Sequence, residues 1–98
     1  MTSIEAIEKL SKKYSSSPDE FIRHGSTLAI QERKRDLQIE RLEILARYDE
    51  VTTVEELEEK IREGTVSEHP AWEDLIEIKN IEAEIREIDN DLRMLQQA

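Results

Sequence analysis

The chain of 98 residues contains no cysteine. That excludes a disulfide framework and any thiolate chemistry. Glycine and proline occur twice each, and aromatic residues make up only 4%. No glycine-rich phosphate loop, no Ser/His/Asp set with a nucleophile elbow and no aromatic-interleaved basic patch is written in it. Long apolar runs are missing as well. The N-terminus has no apolar signal segment, and no uncharged stretch nears the ~20 residues of a bilayer span. A cytoplasmic protein without a membrane partner is expected.

Apolar residues are also scarce, at 37% against the usual ~45–50%. Charged residues reach 39% against ~25%. Such a chain forms one domain at most, residues 1–98, and its core is thin. Surface from elsewhere in the chain or from a second copy is expected to complete it. The net charge of −10 is unevenly placed: residues 1–48 hold eight acids and nine bases, residues 49–98 sixteen acids and five bases. Phosphate binding needs clustered Lys and Arg, so nucleic acid is not an expected partner. A basic protein is.

What the chain does have is helical periodicity. From Pro70 to Ala98, apolar residues fall at Ile78, Ile81, Ile85, Ile88, Leu92 and Leu95. The alternating steps of three and four present one seam to another helix. We expect this helix over 70–96, as a coiled-coil element or as an ordinary core-facing helix. Its flanks, Glu77, Glu82, Glu84, Asp89 and Asp91, are all acidic. A parallel copy of itself would set like charges face to face, so an antiparallel basic neighbour fits better.

That neighbour is the long second helix, expected over 18–48. Ser17 caps it, Pro18 takes its first turn, and Asp19 and Glu20 oppose its dipole. It offers Arg33, Lys34, Arg35, Arg41 and Arg47 to the acidic flanks. Gly25-Ser26-Thr27 predicts a kink or a break. At 100° per residue it carries two apolar stripes. Ile30, Leu37, Ile44 and Tyr48 form one, and Phe21, Leu28, Ile39, Leu42 and Ala46 form the other, nearly opposite. A two-sided helix is sandwiched between neighbours. One is the C-terminal helix; the other is helix 1, helix 3 or another subunit.

The two short helices announce themselves by their caps. Thr2 and Glu5 form a capping box for a helix over 3–14 with Ile4, Ile7, Leu10 and Tyr14 at helical spacing. Thr53 and Glu56 form another, for a helix over 53–63 with Val54, Leu57 and Ile61 facing inward and Gly64 as the left-handed stop. The expected fold is all-α: an antiparallel hairpin of two long helices, covered by two short ones in a small bundle, and dimeric.

Few residues suggest chemistry. His24 and His69 are too few for zinc and read as surface or helix-end side chains. Trp72 packs over the 64–69 loop and the end of helix 3 or, left exposed, anchors a partner. Glu55-Glu56-x-x-Glu59 resembles half of the magnesium site of MazG-type all-α nucleotide pyrophosphohydrolases. That resemblance implies Mg²⁺-dependent hydrolysis. The second half, ExxD, is absent, and the equivalent place holds Glu77-x-x-Asn80. The leading expectation is therefore a non-catalytic interaction or assembly module without cofactor, metal or catalytic residue. An antitoxin- or inhibitor-like protein that neutralises a basic partner is the alternative, and the hydrolase is the third reading. The interface is expected on Leu37, Ile44, Tyr48, Ile78, Ile81, Ile85, Ile88, Leu92 and Leu95.

Overall fold

A computed structural model describes residues 1–98 and is all-helical. Four helices follow in order: α1 (Ser3–Tyr14), α2 (Pro18–Leu45), α3 (Val54–Glu63) and α4 (Glu68–Gln97). Their starts are fixed by local hydrogen bonds. Thr2, Ser17 and Thr53 each accept from the backbone N–H three residues on, at 3.1, 3.1 and 3.2 Å. These bonds satisfy donors that have no intrahelical partner. The Glu56 carboxylate reaches back to Thr52, accepting from its N–H and its hydroxyl at 3.1 Å each. Gly64 ends α3 at φ 75°, its N–H donating to Ile61 and Lys60 carbonyls. Only glycine adopts that left-handed backbone without strain.

Two expectations about α2 change. α2 runs unbroken through Gly25-Ser26-Thr27. A helix-interior glycine costs roughly 1 kcal/mol against alanine, too little to break 28 residues of continuous helix. α2 also stops at Leu45, where tighter turns take over: Arg47 N–H donates to Ile44 and Tyr48 N–H to Leu45. Tyr48 thus sits beyond the helix yet still packs against the core. α4 includes Glu68, but His69 is extended (φ −113°, ψ 119°), so regular helix begins at Pro70. A residue before proline is driven out of the helical region.

The core lies between α2, α3 and α4. Leu37, Ile44 and Leu45 come from α2, Leu57 and Ile61 from α3, and Ala71, Leu75, Ile78, Ile81, Ile85 and Ile88 from α4. Burying a side chain of this kind contributes about 1.5–3 kcal/mol. Ion pairs flank the contact: Arg47–Asp74 at 2.9 Å, Arg41–Glu82 at 3.4 Å, Lys34–Asp89 at 2.7 Å and Arg33–Glu84 at 3.1 Å. From Arg47 through Arg41 to Lys34, the acidic partner climbs α4. Arg35 makes no such pair, and neither do Glu77 or Asp91 on the acidic side, which corrects the expected matching.

α1 packs against the first half of α2. Its buried face is not the expected one. Ser11 is fully buried at 0% exposure, while Ile4, Leu10 and Tyr14 are exposed. Ala6 and Ile7 are half-buried. A single neighbouring helix offers a narrow strip, and a small serine permits close approach. Its hydroxyl is satisfied by the Glu8 carbonyl at 2.9 Å. The chain is long and thin, 60 × 25 × 20 Å, with a radius of gyration of 19.8 Å against the ~13 Å of a compact chain this size.

Candidate functional site

α3 and the start of α4 border an open cleft. Gly64 reverses the chain, and Thr65 secures the turn through its hydroxyl bond to the Lys60 carbonyl at 3.1 Å. The two helices then lie against each other. Glu58, Ile61, Arg62, Glu68 and Trp72 line an open cleft of about 500 Å³. Trp72 is 54% exposed, with Ile76 exposed one turn further on. Trp72 therefore keeps about half its surface free. Ile61 is buried at the cleft and gives it an apolar wall.

The cleft's surroundings are acidic. From Val54 to Ile78 the chain holds nine acidic residues and two basic ones. Arg62 is held by Glu59 at 2.6 Å, and Lys79 reaches Glu58 at 3.4 Å. Along α3, Arg62 turns to Glu59, and Glu56 serves Thr52.

A second polar feature joins the start of α4 to the end of α2. Asp74 is 7% exposed and the only buried ionisable residue. Arg47 donates to one of its oxygens at 2.9 Å, and the Tyr48 hydroxyl donates to the other. Both carboxylate oxygens are thus satisfied, as a buried charge requires. Burial, then the bond to Asp74 and its negative charge, push the Tyr48 hydroxyl up from 10.0 to about 12, with Arg47 opposing. Sequence reasoning missed this node. The signal was available: Ala71 and Asp74 continue the Ile78/Ile81 seam backward by one heptad.

Of the expected interface residues, Leu37, Ile44, Ile78, Ile81, Ile85 and Ile88 are buried together. Tyr48 and Leu92 are partly buried against them, and Leu95 is half-buried near the end of α4. All of these but Leu95 belong to the chain's own core or pack against it. The second α2 stripe behaves differently. Leu28, Ile39 and Leu42 are 52%, 47% and 60% exposed. Neither α1 nor α3 covers them.

The Glu55-Glu56-x-x-Glu59 segment does not gather into a ligand set. No group of three or more His, Cys, Asp or Glu side chains is placed to hold a metal ion. Asn80, in the place of the missing acid, is exposed. His24 makes no ion pair with Glu20, which pairs with Arg23 at 3.5 Å instead. His69 faces Glu73 at 3.3 Å. No helix is long and apolar enough to cross a membrane.

No curated protein and no solved structure matches the chain. A family model does, across its full length. By that match over residues 1–98, the chain belongs to the Uncharacterized protein MJ0235 family.

Proposed function

We propose that the chain is a non-catalytic protein-interaction module. Its α3–α4 face takes a basic, amphipathic segment of another protein. The exposed Trp72 beside the apolar wall of Ile61 carries this reading. Exposed tryptophans in a concave setting are favoured anchors of protein contacts. The acidic surround favours a positively charged partner and speeds encounter with it. The finer architecture belongs to the same reading: α2 and α4 form an antiparallel hairpin, and two copies assemble into a dimer.

Trp72 is the only tryptophan, so its fluorescence reports on the cleft directly. Titration with a Lys/Leu amphipathic helical peptide is expected to give a saturable blue shift that weakens with salt. Glu58→Lys and Glu68→Lys should reduce binding, and an acidic version of the peptide should give none. Equal responses to both peptides, or no saturable change, would overturn the reading.

A further inference from the structure

α2 keeps a second seam that the chain leaves mostly exposed. Phe21, Gly25, Leu28, Glu32, Arg35, Ile39, Leu42 and Ala46 recur at steps of four and three. That is the heptad spacing of a coiled coil. The stripe lies opposite the side buried by α4, where Ile30, Leu37 and Ile44 pack. Phe21 is half-buried, and the other seven are exposed.

From this we infer that the seam binds a second copy of the chain, α2 against α2 in antiparallel register. The pattern is self-complementary in that register. Leu28 meets Ile39 of the copy, and Ile39 meets its Leu28. Leu42 meets Gly25, and Phe21 meets Ala46, so in these outer layers a large side chain faces a small one. At the centre, Glu32 meets Arg35 twice, related by the two-fold axis. Neither Glu32 nor Arg35 has an ion-pair partner within the chain, although Arg33 and Lys34 beside them do. A parallel pairing would instead set Glu32 on Glu32 and Arg35 on Arg35, which disfavours it.

Gly25 is an independent observation pointing the same way. It sits inside a helix, where glycine is unfavourable. A Cβ there would meet nothing within 4 Å. No contact inside the chain calls for glycine at this position. A leucine of the second copy does, because it needs room at the seam.

The inference rests on the dimer reading above and adds its geometry. Sedimentation of the full chain at tens of micromolar, with charge reversals at the central layer, tests it. The wild type is expected to be a dimer. E32R and R35E should each weaken self-association by about tenfold or more, with helical circular dichroism unchanged. Mixing E32R with R35E should restore dimers, because both central pairs again join opposite charges. The double variant E32R/R35E should also dimerise. Disulfide trapping gives a second measurement in this cysteine-free chain. L28C and I39C should form a mixed disulfide with each other and not with themselves. A monomeric wild type, or self-pairing of L28C, would overturn the inference. A dimer indifferent to both charge reversals would overturn the seam while leaving dimerisation and peptide binding at Trp72 in place.

Discussion

Tyr48 donates its hydroxyl to Asp74 from just past the end of α2, while Arg47 holds the other carboxylate oxygen at 2.9 Å. One buried acid thus ties the end of the second helix to the start of the fourth. Removing Asp74 leaves a half-buried phenol without an acceptor, at a cost of about 1–3 kcal/mol. Asp74→Ala should lower denaturant stability by that order. A Tyr48→Phe/Asp74→Ala cycle should show coupling of about 0.5–3 kcal/mol. Strict additivity would show that the bond contributes nothing.

Burial of Tyr48, reinforced by this bond, predicts alkaline sensitivity. The folded protein holds the Tyr48 proton up to about 12, and the unfolded chain releases it near 10.0. The unfolded state therefore binds fewer protons between these values, and stability falls as pH rises from 10 towards 12. Below 10 the phenol contributes no pH dependence. Tyr48→Phe should flatten the fall. Ultraviolet titration of the phenolate in a Tyr14→Phe background would locate the Tyr48 transition directly.

Ile76 and Ile78 are two residues apart and lie on different sides of α4: Ile78 is fully buried, Ile76 exposed. Ile78→Ala should cost about 2–5 kcal/mol by creating a cavity. Ile76→Ala should change stability by less than about 0.5 kcal/mol. Comparable losses in thermal or urea unfolding would contradict the packing.

The two glycines should respond with opposite sign. Gly25→Ala adds a methyl in open space to a regular helix and should stabilise the fold by about 0.5–1 kcal/mol. Gly64→Ala forces a side chain into the left-handed region at φ 75° and should destabilise it. Urea midpoints in the E32R background would separate these effects from self-association.

Much of this architecture was legible because its causes are local. Thr2, Ser17, Thr53 and Gly64 act on backbone groups within a few residues, so their chemistry marks helix ends without knowledge of the fold. The α4 seam was legible for a similar reason: a strict three–four spacing admits one buried face. The failures share a different origin. Asp74 is buried because Arg47 and Tyr48, 27 and 26 residues away, arrive on its two oxygens. Ser11 is buried because one neighbour leaves room only for a small side chain. The Gly25 break failed because one residue's cost was weighed without the helix on both sides. Trp72 had two readings, packed or exposed, and α3 and the 64–69 loop supply too little surface to cover it.

The way α1 is attached carries a last consequence. It lies along one half of one helix and fully buries a single serine. Opening it exposes little apolar area, so it behaves as a separate unit of local unfolding. Its amide protons should exchange with deuterium well before those of α4, and a protease should trim the arm while the remaining helices stay folded.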